Sequence, residues 1–255
     1  MDAGDEALEH LDHLAAVEHA LCVEYLFLHC ALGGGLDPIP DADQRVHAAG
    51  QELLNLAQNE MRHLRRVDEV LRLAGRSPSV RRAIRLDVGP HAGLALAPLT
   101  SAQLDGFADR ERNVAGAVDD AYRAVAAALG SLSPDHAPEW LDQARFVVDG
   151  CSEHAAAFTP VTDGLAAVDA HEFPLVVRDE PADDVERALI EVSDRHYGIV
   201  VDTVAASFAH DERVGGQLLS VAVRSMDGLY EVLRLLMARG VLPRFRLPAA
   251  QAPPV

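Results

Sequence analysis

A glutamate and a histidine three residues apart, Glu60 and His63, stand inside a helical pattern whose inward positions are otherwise apolar. Between Gln44 and Ala74 the stripe runs Leu53, Leu56, Ala57, Glu60, Leu64, Val67 and Leu71, at alternating spacings of three and four. Glu60 therefore points at the core, and His63 lies one turn further along the same side. A carboxylate taken out of water needs a proton, a hydrogen-bonded partner or a cation to offset its desolvation. A metal ion meets that need, and a Glu-x-x-His pair facing the middle of a helix bundle is how such a site is built.

Three other segments repeat the arrangement. Glu18 is embedded among Leu11, Leu14, Leu21, Tyr25, Leu28 and Leu32. Glu111 is the one charge on a stripe of Leu104, Phe107, Ala108, Val114, Ala115, Val118 and Tyr122. Cys151 and His154 are the polar members of a stripe formed with Trp140, Ala144, Val147, Ala155, Phe158 and Val161; Asp149 and Glu153 are close by, though helical spacing aims neither at the seam. A lone Glu on an apolar stripe is ordinarily paired with Arg or backbone, and a lone core His is ordinarily only hydrogen-bonded. The coincidence of four helices, each offering a ligand from an apolar seam, favours metal. Carboxylates and imidazoles without clustered thiolates suit iron or manganese, with zinc as a tolerated substitute. Bridging carboxylates from Glu60 and Glu111 would hold two divalent ions and leave positions open for dioxygen or substrate.

Six helical segments between Gly/Pro-rich breaks must position these residues. They run from Glu6 to Leu32, ending at Gly33 to Gly35; Asp41 to Ala74, ending at Gly75; Thr100 or Ser101 to Leu129; Pro138 to Val168; Asp183 to His210; and Arg213 to Arg239. The irregular stretch Arg76 to Leu99 is long for a connection and suits a lid over a site entrance. The domain plan is a bundle over residues 1–170 with the loop at 76–99, an additional helical pair at 171–242 packed on it, and a Pro-rich tail at 243–255.

Composition narrows the class. Hydrophobic residues make up 49% of the 255 and aromatics 5%, with no alternating strand-like run, which predicts an all-α fold with a sizeable core. A net charge of −18, from 40 acidic and 22 basic residues, argues against nucleic acid and anionic membrane surfaces. The stretch Leu14 to Leu32 is long enough to span a bilayer, yet Glu18, His19, Glu24 and His29 fall inside it, so it reads as a buried core helix. The acidic Met1 to Leu11 has no signal-peptide pattern, and Cys22, Cys30 and Cys151 form no metal-type pair; both features suit a reducing cytoplasm. Dinucleotide-binding, phosphate-loop, nucleophile-elbow and His-Glu-x-x-His signatures do not occur.

The string Val17-Glu18-His19-Ala20-Leu21-Cys22-Val23-Glu24-Tyr25-Leu26-Phe27-Leu28, followed by Gln58-Asn59-Glu60-Met61-Arg62-His63-Leu64, resembles the ferritin-like superfamily. More closely it is similar to the ferritin-like domain associated with iminophenyl-pyruvate dimer synthases, enzymes of bis-indole pigment biosynthesis. The likeness is strong over residues 10 to 75 and weak after 170. It includes Pro98-Leu99-Thr100-Ser101, Ser225-Met226-Asp227 and Leu235-Leu236-Met237. It implies a four-helix bundle with two additional C-terminal helices, and metal ligands at Glu18, Glu60, His63, Glu111 and His154. The pattern departs at the fourth helix, where Cys151 stands in place of the expected Glu three residues before His154. The site is then dinuclear, mononuclear, completed by Cys151, Glu153 or Asp149, or lost.

The expected activity is a non-haem iron oxidase, with two ions or one, acting with dioxygen on a small organic substrate. Glu18 and His63 would be terminal ligands and Glu60 and Glu111 bridges, with Tyr25, Tyr122, Phe107 and Phe158 as candidate cavity walls. Glu24 and His19 are assigned supporting or interface positions, and His196, with Val192, Ile199 and Val200, a structural one. The alternative is a ferritin-like scaffold without catalysis; iron storage fits less well, because the fifth and sixth helices do not suit a shell subunit. One nearly all-apolar helix and the late pair are available for a homodimer interface.

Overall fold

The computed structural model of the chain describes residues 3–34, 36, 44–77, 80, 82, 96, 120–130, 137–166, 176, 178–210 and 212–247, leaving undescribed the side chains at 3, 4, 137, 141, 144, 148–155 and 212. Among the described residues the protein is all-helical, as expected, with one isolated parallel bridge between Arg178 and Val241 and no strand. The helices are α1 (Ala3–Ala31), α2 (Gln44–Leu73), α3 (120–130), α4 (Ala137–Ala166), α5 (Asp184–Phe208) and α6 (Glu212–Ala238).

Glycine sets three of the helix ends. Gly33, Gly75 and Gly240 have φ of 65°, 75° and 72°, a left-handed conformation that costs a side-chain-bearing residue but not glycine. In each case the next two amides turn back onto the last turn. Gly34 N donates to His29 O and Gly33 N to Cys30 O, Arg76 N to Leu71 O and Gly75 N to Arg72 O, and Val241 N to Leu236 O and Gly240 N to Met237 O. This paired pattern satisfies carbonyls that a helix end would otherwise leave open. At the start of α5, Asp183 caps the Glu186 amide at 2.8 Å and the Glu186 carboxylate reaches back to the Ala182 amide at 2.7 Å.

Packing explains why α1 is apolar nearly all round. Its two sides meet different partners: Glu18 and Tyr25 face Tyr122 of α3 and Phe158 of α4, while His19 and His29 face Tyr197 of α5 and Tyr230 of α6. Helix α1 is long and apolar enough to cross a membrane by composition, but it is almost entirely buried between the other helices. Leu14 and Leu28 on α1, Leu32 just after it, and Leu53, Leu56 and Leu71 on α2 are all fully buried. At roughly 1.5–3 kcal/mol for each such side chain, they outweigh the cost of seating two carboxylates in the same seam. Helix α2 packs on α1 and α4, and α5 packs on α6. One continuous apolar core joins residues of all six helices.

The two late helices are tied to each other at one end. Arg178 donates two hydrogen bonds of 3.0 Å to the Glu186 carboxylate and one to Arg239 O, while Arg239 pairs with Asp183 at 2.6 Å. The chain leading into α5 also pairs with the end of α1, through Val176 N to Ala31 O.

The first part of the expected third helix, with Glu111 and Phe107, lies outside the described residues, as do most of the loop at 76–99 and the end of the tail. The backbone of α4 is described through Asp149, Cys151, Glu153 and His154, but their side chains are not.

Candidate metal centre

The α1–α2 seam brings together three groups that the sequence spacing singles out. One ligand atom each from Glu18, Glu60 and His63 lies within 4.8 Å of the others, and all three residues are buried, at 1%, 1% and 2% exposure. The i,i+3 relation in α2 sets His63 Nδ1 3.1 Å from Glu60 Oε2, and the crossing of α1 brings Glu18 Oε2 to 3.5 Å from the same nitrogen. Two carboxylates therefore converge on one ring nitrogen, which carries one proton at most.

Helices α3 and α4 close the site. Tyr122 Oη donates to Glu18 Oε1 at 2.6 Å, fixing that carboxylate so that its other oxygen turns toward His63. Glu18 Oε2 makes no hydrogen bond of its own among the described residues. Phe146 of α4 meets the His63 ring edge-on, with centroids 6.2 Å apart, and is itself covered by the Arg66 guanidinium at 4.7 Å. Tyr25 and Phe158, in ring contact at 5.8 Å, lie at 0% and 1% exposure and leave no room for solvent.

The electrostatics follow from this crowding. Burial, with the charge of Glu60 added, pushes the Glu18 carboxyl up to about 8. Burial alone would depress His63, but the close contacts and charge of Glu18 and Glu60 outweigh it and push the imidazolium up to about 10. The two shifts express one fact: the pocket carries more negative ligand capacity than its single nitrogen can neutralise. The Cys22 thiol, one turn beyond Glu18, is pushed up by burial and by the same two carboxylates.

A divalent cation fits this donor set. Two carboxylate oxygens and an imidazole nitrogen, with one carboxylate oxygen lacking a donor, are hard-to-borderline ligands suited to iron, manganese or zinc. Glu111, Cys151, Glu153, Asp149 and His154 are not described at side-chain level, so the described cluster consists of Glu18, Glu60 and His63.

Tyr122 takes a place not expected from the sequence, whereas His19 and His196 take the interface and structural positions expected of them. Tyr122 is the hydrogen-bond donor to Glu18; its presence on the same stripe as Glu111 was the available signal. Glu24 and Asp68 are buried at 3% and 0% exposure, off the counted stripes. His19 sits at a helix interface, with its Nε2 2.7 Å from Tyr197 Oη. His196 packs against Gly228, where an added Cβ would lie 2.7 Å from the imidazole ring. Of the candidate cavity walls, Tyr25, Tyr122 and Phe158 are buried in the core, the packing role that explains them equally well, and Phe107 lies outside the described residues; a large cavity bordered by described residues opens on the other side of α1, against α5 and α6.

Comparison of the chain with protein-family models, with characterised proteins and with solved structures returns no significant match.

Proposed function

We propose that the protein is a metal-dependent oxidoreductase that binds iron, as two ions or one, and acts with dioxygen on a small organic substrate in a biosynthetic pathway. In this reading the helices form a ferritin-like four-helix bundle extended by α5 and α6. Glu18, Glu60 and His63 would hold the metal, joined by Glu111 and, through α4, His154. The observation that carries the reading is the convergence of two buried carboxylates on one imidazole nitrogen, with a third group, Tyr122, orienting one of them.

Iron held by Glu18, Glu60 and His63 would supply, in its ferrous form, the electrons for dioxygen reduction. The chain's own residues have separate tasks. Tyr122 holds the Glu18 carboxylate, whose orientation would otherwise be free about its last torsion. Tyr25 and Phe158 exclude water from the α1 side, and Phe146 with Arg66 covers the ring of His63 from α4. Exclusion of water lowers the local dielectric and strengthens each charge–ligand contact.

A second reading rests on a specific observation as well. Tyr122, Glu18, His63 and Glu60 are linked to one another by hydrogen bonds and a charge pair among protein groups alone. A scaffold that kept the bundle and lost the chemistry would retain it, and Cys151 in place of a Glu is in keeping with such a loss.

Oxygen consumption separates the two. Protein loaded anaerobically with ferrous iron and then mixed with air-saturated buffer should consume dioxygen faster than the same concentration of ferrous iron alone, and Glu60→Ala should return the rate to that background. A wild-type rate equal to free iron would contradict the oxidase.

A further inference from the structure

The most conspicuous feature outside the metal centre is an open-mouthed cavity of about 520 Å3 lined by α1, α2, α5, α6 and the chain that follows α6. Protein interiors close-pack, and voids much larger than a water molecule are few. A dry apolar cavity of ~150 Å3 already takes up benzene, and small-molecule sites occupy ~300–1,000 Å3. This volume lies in the second range.

Its surface is mostly apolar, with polar groups both at its exposed rim and buried in its wall, among them the fully buried Asp68. Leu26, Met61, Val201, Phe208, Met226 and Leu233 form much of the wall, and the two flexible thioethers let it adapt to an irregular occupant. At the deep end lie His19 and Tyr197, buried at 6% and 5% exposure and joined by a 2.7 Å hydrogen bond. Gln58, Arg65 and Asp227, all exposed, lie at the rim.

The deep end is held in place by unusual backbone. Phe245 has φ of 47°, the one described non-glycine residue in the left-handed region, and it is completely buried. Its ring meets Tyr197 edge-on at 5.7 Å, and its carbonyl accepts a 2.8 Å hydrogen bond from Arg82. Strained residues persist where the surroundings over-determine them, commonly at ligand clamps. Arg82 lies beside the Tyr197 ring in addition to the His19 contact, and a phenol oxygen, with one proton and two lone pairs, keeps a further hydrogen-bonding capacity beyond these two neighbours. Burial pushes the Tyr197 phenol up, so it stays neutral.

We propose that this cavity is a binding site for a largely apolar, uncharged organic molecule, aromatic or branched, whose single hydroxyl or carbonyl group reaches the His19–Tyr197 pair while its apolar body fills the space between α1–α2 and α5–α6. The site shares no residue with Glu18, Glu60 and His63, so the inference stands whether or not a metal binds there.

The test uses the full chain and the neutral fluorescent probe N-phenyl-1-naphthylamine. Saturable binding of one probe per chain is expected, displaced more strongly by 1-naphthol than by naphthalene. Met226→Trp fills the cavity from α6 and should weaken probe binding at least tenfold, with the thermal midpoint and metal content of the wild type retained. Met61→Trp fills it from α2 and serves if the first variant does not fold. Tyr197→Phe should leave probe binding within twofold while abolishing the preference for 1-naphthol over naphthalene. Absence of saturable binding, or unchanged affinity in a folded filling variant, would overturn the site. An undiminished preference for 1-naphthol in Tyr197→Phe would overturn the placement of the polar group.

Discussion

Replacing Tyr122 by Phe removes one oxygen and leaves the ring's packing in place, which makes it a clean probe of the metal centre. The hydroxyl is buried on a residue of 2% exposure and lies 2.6 Å from Glu18 Oε1. With the Glu18 carboxyl pushed up to about 8 its oxygen is a mostly neutral acceptor at neutral pH, and such a hydrogen bond contributes ~0.5–1.5 kcal/mol, so the metal-free protein should lose about that much stability. The effect on metal is separable. A group that orients a ligating carboxylate typically supports ~10–100-fold in metal affinity, equal to ~1.4–2.7 kcal/mol. With metal in excess, stabilisation follows the logarithm of affinity, and for a chain of this size each kcal/mol moves the thermal midpoint by ~2–4 °C. The rise in midpoint on adding manganese(II) should thus be about 3–10 °C smaller in Tyr122→Phe than in the wild type. Melts with and without metal, paired with chelator competition, read both quantities. A wild-type affinity and an unchanged metal-induced rise would refute the view that Tyr122 orients a metal ligand.

Other expectations follow from single contacts. Gly34→Ala would drive a Cβ into the ring of the fully buried His29, whose Nδ1 is held at 2.7 Å by Gly50 O. Such overpacking should cost ~1–3 kcal/mol in a urea titration, and a loss below a few tenths would show that the ring can yield. Glu186 is held down to about 2 by Arg178, the Ala182 amide and Arg239, from an ordinary 4.5. Its folded form keeps fewer protons than its unfolded form between those values, so its contribution is complete above about 4.5 and is lost as pH falls toward 2. The stability difference between wild type and Glu186→Gln should therefore shrink across that window in acid titrations, and a difference independent of pH would contradict the assignment. Cys22 and Cys30 are buried thiols pushed up by desolvation, so in a Cys151→Ser background a thiol reagent should modify them only as fast as the protein unfolds. Rapid modification of the folded protein would contradict their burial.

Sequence periodicity recovered what is local. The ends of α1, α2 and α6 were legible because each is punctuated by a glycine that must adopt a left-handed conformation, at Gly33, Gly75 and Gly240. Burial of Glu18 and Glu60 was legible because each interrupts an apolar stripe at helical spacing, and the place of His63 because it lies one turn from Glu60 on the same side. What periodicity cannot supply is the partner across the fold. The hydrogen bond from Tyr122 to Glu18 spans 104 positions and that between Tyr197 and His19 spans 178, and neither tyrosine's stripe says which helix it will meet. That α1 is a buried core helix was legible from its apolar length, but not which helices enclose its second side, and so the cavity against α5 and α6 was not anticipated.

The most direct test of the central claim is metal content per chain, by elemental analysis of protein expressed with iron and manganese supplied, for the wild type beside Glu60→Ala and His154→Ala. The account predicts stoichiometric metal in the wild type, absent from Glu60→Ala because the carboxylate beside His63 is gone, and halved in His154→Ala if α4 completes a second position. No bound metal in the wild type, or the same content in folded Glu60→Ala, would contradict it.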